Sequence, residues 1–133
     1  MSILSEAQAK AILDKVIAFS TADNTSAVLS GGIGGNVRFA RNDISTSGIV
    51  DDVQLAVEVA FGQRVGTASI NQFDDASLER VVRRAEDLAK LAPENPEYMP
   101  PVGKQTYTAT DTFSEATAAL TAEARAKIAE ASI

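Results

Sequence analysis

The sequence predicts an α+β domain: an antiparallel β-sheet of four or five strands in a meander, two long helices packed on one face, and a C-terminal helical arm. Two periodicities carry the prediction. Between Asn36 and Asn71 apolar residues recur at every second position in successive runs, as in strands with one buried face. On either side of that stretch they recur at the 3.6-residue spacing of amphipathic helices. A third sign is turn chemistry between the runs, with Arg41-Asn42-Asp43-Ile44 and Phe61-Gly62-Gln63-Arg64 as hairpin candidates.

The first helix is expected over Glu6–Phe19. Ser5 and Gln8 have the S-x-x-Q spacing of a capping box, and Ala9, Ile12, Leu13, Val16 and Ile17 form its apolar stripe. Ser20–Asn24 is polar and ends it. Thr25–Ser30 is a short strand candidate. Gly31-Gly32-Ile33-Gly34-Gly35 then reads as a flexible hairpin connection. It is no phosphate loop, because no Lys-Ser/Thr follows and it opens into a strand pattern rather than a helix.

Val37–Arg41 and Ile44–Val50 read as strands, with Gly48 at a bulge and Asp51-Asp52 as a third turn. In Val53–Phe61 the odd positions Val53, Leu55, Val57, Val59 and Phe61 are apolar, and Gln54 and Glu58 lie between them. Gly62 suits the first loop position of a type II′ turn, and Arg64–Asn71 is the return strand.

Asp74 or Asp75 is expected to cap the second helix, whose stripe is Leu78, Val81, Val82, Ala85, Leu88, Ala89 and Ala92. Glu79 with Arg83, and Glu86 with Lys90, fit acid-before-base pairs on its wet face, so Arg80, Arg83 and Arg84 read as a salt-bridged face rather than a basic patch. Pro93 stops the helix. Pro93–Thr112 holds all four prolines and no periodicity. After it comes an alanine-rich arm, with Thr121 as N-cap of a final helix whose apolar side (Leu120, Ala124, Ile128) is thin. The expected division is an α+β domain over 1–92, a proline-containing linker over 93–113 and a helical arm over 114–133. The arm beyond Tyr98 is expected to dock on another polypeptide.

Composition excludes whole classes of chemistry. The chain has 133 residues, no histidine and no cysteine. A Ser-His-Asp triad, a Cys-His pair and an H-E-x-x-H zinc helix cannot be built within it. Asp51-Asp52 with Asp74-Asp75 lacks the spacing of a calcium loop and reads as turn and cap carboxylates. Lys10, Lys15, Lys90, Lys104 and Lys127 fall on helical or linker positions with no apolar pocket implied, which leaves lysine chemistry unsupported. A formal net charge of −6 argues against nucleic acid and against an anionic membrane surface. No apolar run is long enough to span a bilayer, and no secretory leader pattern opens the chain, so a cytoplasmic protein is expected.

Several residues carry a family resemblance. They are Gly35-Asn36, Arg38-Phe39-Ala40 and Asn42, then Gly62, Arg64, Gly66, Ala68 and Asn71, followed by the helix LERVVRRAEDLAKLAP. In this order, between two helices, they resemble the N-terminal domain of the TldD/PmbA family, also described as modulators of DNA gyrase. The resemblance implies a domain of a metallopeptidase family whose active members bind zinc through a His-containing helix well downstream. No catalytic or metal residue is therefore carried over. Asn36, Arg38, Asn42, Arg64 and Asn71 are family-motif positions without an assigned role. The implied function is a non-catalytic assembly or substrate-guiding domain, inactive alone and without a cofactor of its own. Its partner would be a protein, a second copy or the remainder of a longer chain, with a peptide as substrate. A reading from a different class is a stand-alone module that binds peptide or protein by strand addition.

Overall fold

The computed structural model describes residues 4–132. Element order is α1 (Glu6–Phe19), β1 (Asn24–Ala40), β2 (Asp43–Phe61), β3 (Arg64–Ile70), α2 (Asp75–Leu91), α3 (Glu115–Ala118) and α4 (Ala122–Glu130). The strands form one sheet in the order β1-β2-β3, an antiparallel meander. The α+β class holds.

Among the described residues the strand count is three rather than four or five. The glycine-rich stretch does not interrupt pairing but runs inside β1, and Asp51-Asp52 is not a turn but lies within the 19-residue β2. Turn-forming residues permit a reversal without requiring one. Here ladder hydrogen bonding continues through them, and Gly31 is used for close approach instead. A Cβ on it would lie 2.8 Å from Val53 Cγ2 and 3.1 Å from the carbonyl oxygen of Asp52 on the neighbouring strand.

The first hairpin reverses one residue earlier than the sequence suggests, at Arg41 and Asn42, both with positive φ (56° and 58°). That is the φ signature of a type I′ turn, whose twist matches the flanking strands. The second hairpin is as expected, with Gly62 at φ +58° as first loop residue. Its amide donates to Asp23 Oδ2 (2.8 Å), which ties the loop to the segment before β1.

The chain resolves into two compact units, one of residues up to 32 with 52–103, the other of 33–51 with 104 onward. The long strands β1 and β2 supply residues to both.

The first unit holds the main core. Leu55, Val57 and Val59 of β2, Ala68 of β3, Val16 of α1 and Leu78, Val82, Ala85 and Ala89 of α2 are buried together. The β2–β3 register pairs Val57 with Ala68 and Val59 with Gly66, so the small residues of β3 lie beside the valines of β2. At Gly66 β3 lies close against α2: a Cβ there would collide with the carbonyl of Ala85 and the amide of Ala89. Helix α1 has the capping box its sequence announces: Ser5 Oγ accepts the Gln8 amide at 3.3 Å, and Gln8 Oε1 accepts the Ser5 amide at 2.9 Å. Asp74, not Asp75, caps α2, accepting from the Ser77 amide at 3.0 Å. The Ser77 side chain and then the Ser77 amide, each hydrogen-bonding to it, hold the Asp74 carboxyl below its usual range.

Three side-chain placements differ from the helical pattern. Ile17 and Leu88, at the margins of their stripes, are 49% and 43% exposed. Glu86 is not on the wet face but 2% exposed, and it pairs with Arg83 at 2.9 Å rather than with Lys90.

In the second unit, α4 begins at the Thr121 cap, whose hydroxyl accepts the Ala124 amide at 3.1 Å. Its buried face is Ala129, while Ile128 is 60% exposed, the reverse of the side its larger apolar residues suggested. Small residues let the helix approach the hairpin closely, and Gly35 admits the Arg125 guanidinium against the strand backbone.

Candidate functional site

Of the five family-motif positions, Asn36, Arg38 and Asn42 fall in the second unit and Arg64 and Asn71 in the first. Asn36 and Arg38 lie on β1, where their carbonyls accept hydrogen bonds from Ser47 Oγ (3.4 Å) and Ser45 Oγ (3.1 Å) of β2. Asn42 occupies the second left-handed position of the first hairpin. Arg64 opens β3 and pairs with Glu94 at 3.5 Å, and Asn71 lies just past the end of β3, exposed. Asn42 serves a turn, Arg64 an ion pair and Asn71 a strand end, while Asn36 and Arg38 are interior positions of β1.

Acid–base chemistry finds no support elsewhere. Lys10, Lys15, Lys90 and Lys127 are in exposed ion pairs with Asp14, Asp75, Asp87 and Glu123. Asp74 is spent on a helix cap and Asp75 on Lys15. Among the described residues no group of three or more acidic side chains is placed to hold a metal ion. Glu86 has the one carboxylate with both burial and a shifted titration. Burial alone would raise its pKa, but the Thr21 amide, the Arg83 guanidinium and the Thr21 hydroxyl outweigh it, so the group stays ionised below the usual glutamate range. Every partner it has is structural, which makes it a clamp rather than a general acid.

A different arrangement stands out in the second unit. A cavity of about 630 Å3 lies among the hairpin strands, the stretch before α3 and the start of α4. Ile33, Ile49, Phe113 and Leu120 give it apolar walls, and Arg125 supplies its charge. No acidic side chain lines it among the described residues. The guanidinium lies over Gly35, where a Cβ would meet its central carbon at 2.5 Å. Nη1 donates to the Leu120 carbonyl at 2.6 Å. Nε and Nη2 are buried with no hydrogen-bond partner among the described residues. The sequence reading passed over Arg125 because an arginine between alanines on a short helix looks like a solvated charge. Glycines far upstream were the only other trace of the close approach.

No helix in the described residues is long and apolar enough to cross a membrane.

Comparison with known proteins accords with this architecture. A search of curated proteins found no match. Among solved structures, TldE from Thermococcus kodakarensis is similar with a TM-score of 0.61 and 14% identity, over 78% of this chain and 24% of that one. At that identity the likeness speaks for the fold, and the chain spans about a quarter of that protein's length. The sequence of residues 26–89, from early in β1 to the last turn of α2, matches the family described as PmbA/TldA metallopeptidase domain 1. Residues 26–89, just under half of the chain, are thus similar to the first domain of the TldD/PmbA metallopeptidase family.

Proposed function

We propose that this chain serves as a non-catalytic assembly or substrate-guiding domain of a TldD/PmbA-type metallopeptidase. The observation that carries the proposal is the family match over 26–89 in a chain with neither histidine nor cysteine. Peptidase zinc needs imidazole or thiolate beside a carboxylate, and carboxylates alone bind it weakly and without the open tetrahedral geometry. Zinc and the scissile bond therefore belong to residues outside this chain, and the domain contributes surface. Its partner is a protein, either a second copy or a further part of a longer chain, and its setting is the cytoplasm. With a net charge of −6, any influence on DNA gyrase, the family's other description, would act through protein contact rather than through DNA.

Elemental analysis after dialysis, combined with a peptide-cleavage assay, tests the catalytic half. The expected result is no retained zinc and no cleavage; stoichiometric zinc with chelator-sensitive cleavage would overturn it. Hydrogen exchange across a concentration series tests the assembly half. Protection through residues 98–132 should rise with protein concentration or with an added partner domain, and protection independent of both would count against it.

A second reading, strand addition, is favoured by one feature. Strand β1 is a 17-residue sheet edge with no proline and no lysine, the residues that commonly blunt such edges. Val28→Pro at this edge should abolish binding of an extended peptide on that reading and leave it unchanged on the first.

A further inference from the structure

We propose that the Arg125 cavity is a binding site for a carboxylate carried on an apolar group. The inference stands on the second unit's own geometry and does not depend on the family reading.

The argument begins with the guanidinium. Its Nε–H and one Nη2–H lie parallel on the same edge of the fork, at the spacing of the two oxygens of a carboxylate. Those two nitrogens are the ones left without a partner among the described residues, while Nη1 on the other side is engaged by Leu120. A buried charged donor without an acceptor is costly, and native structures rarely keep one without use. The unmet demand is thus for one bidentate oxyanion, not for scattered single acceptors.

The surroundings narrow the ligand further. With no acidic side chain lining the cavity among the described residues, an anion meets no like charge there. Ile33, Ile49, Phe113 and Leu120 offer apolar contact to whatever bears the anion, and the first three are more than half exposed (55%, 67% and 70%). A carboxylate on an aliphatic or aromatic body satisfies both parts, whereas inorganic phosphate uses only one. The unpaired edge is closed to water, so a ligand reaches it by displacing part of the wall. Part of the cavity wall is α3, a four-residue helix with no buried residue. Gly35 completes the site, since any side chain there would push the guanidinium away from the strand.

Two sources carry this chemistry: the C-terminal residue of a peptide, and a free short-chain or aromatic acid. Titration of the full chain followed by 15N NMR, observing the Arg125 Nε–H and the Gly35 amide, separates them. The probes are N-acetyl-leucine, N-acetyl-leucinamide, hexanoate, a pentapeptide ending in leucine, and inorganic phosphate. The expected result is a downfield shift and slowed exchange of the Arg125 Nε–H with the acids. The amide should bind at least tenfold more weakly than the acid. Preference for the pentapeptide over hexanoate identifies a peptide terminus, and the reverse identifies a free acid. Arg125→Met should weaken acid binding at least tenfold and Arg125→Lys several-fold, since lysine keeps charge but loses the fork. Should Arg125→Met unfold α4 by circular dichroism, Gly35→Ala provides the same test by displacing the guanidinium, with the same loss expected. Equal binding of acid and amide, tighter binding of phosphate than of N-acetyl-leucine, unchanged affinity in these variants, or no shift with any acid would each overturn the proposal.

Discussion

Glu86 and Thr21 are joined by two hydrogen bonds across 65 residues of sequence: the Thr21 amide reaches Glu86 Oε1 at 2.6 Å and the Thr21 hydroxyl at 2.9 Å. The other carboxylate oxygen takes Arg83 Nη1 at 2.9 Å. A helix α2 side chain thus caps the turn between α1 and β1, and it does so as a buried anion whose acceptor sites are largely filled. Such a group contributes only while ionised and paired.

Glu86→Gln is expected to destabilise the domain by about 1–3 kcal/mol, the range for losing hydrogen bonds to a buried charged group. Urea unfolding at pH 7 measures it. The pH dependence follows from the direction of the shift. The folded carboxyl titrates below the 4.5 of its free form, so its contribution is complete above that value and disappears as pH falls through the folded pKa. The wild type should lose this part of its stability on acidification below about pH 4.5, whereas the Gln variant should lack that component of the slope. Parallel pH–stability curves for the two proteins would refute the clamp.

Gly66→Ala should be among the costlier single-methyl additions in the chain. The new carbon meets backbone atoms of Ala85 and Ala89, which cannot swing aside as a flexible side chain would. We expect at least the roughly 1–3 kcal/mol typical of overpacking, read as a lowered urea midpoint. Gly32→Ala is the control, because nothing lies within 4 Å of its added carbon.

The two ends of β2 should respond differently to truncation. Leu55 is fully buried, and Leu55→Ala should cost about 2–5 kcal/mol. Ile49, on the same strand, is 67% exposed, and Ile49→Ala should stay within about 0.5 kcal/mol. Similar losses at both positions would mean that the hairpin end of β2 is covered as thoroughly as the core end.

The first hairpin carries two non-glycine residues at positive φ, Arg41 and Asn42. Replacing the pair by Asn-Gly, the favoured type I′ dipeptide, should stabilise the hairpin by about 1 kcal/mol, because the left-handed penalty is relieved. Thermal unfolding of the R41N/N42G variant tests this, with a raised midpoint expected.

Local chemistry by itself determined much of this protein. The Ser5–Gln8 box, the Gly62 turn, the Val53–Phe61 alternation and the halt at Pro93 are each settled within a few residues, and the structure places α1, the second hairpin and the end of α2 accordingly. The absence of histidine and cysteine likewise excluded whole mechanisms before any fold was known. What required tertiary structure was everything set by a neighbour distant in sequence. Gly31–Gly35 and Asp51-Asp52 look like turns by residue type, yet strand pairing carried the chain straight through them. Glu86 looks like a surface ion-pair residue until Thr21 is brought to it, and Arg125 looks solvated until Gly35 lies beneath it. Propensity is a property of a few adjacent bonds, whereas burial and hydrogen-bond partnership depend on which distant backbone arrives, and only the folded chain decides that.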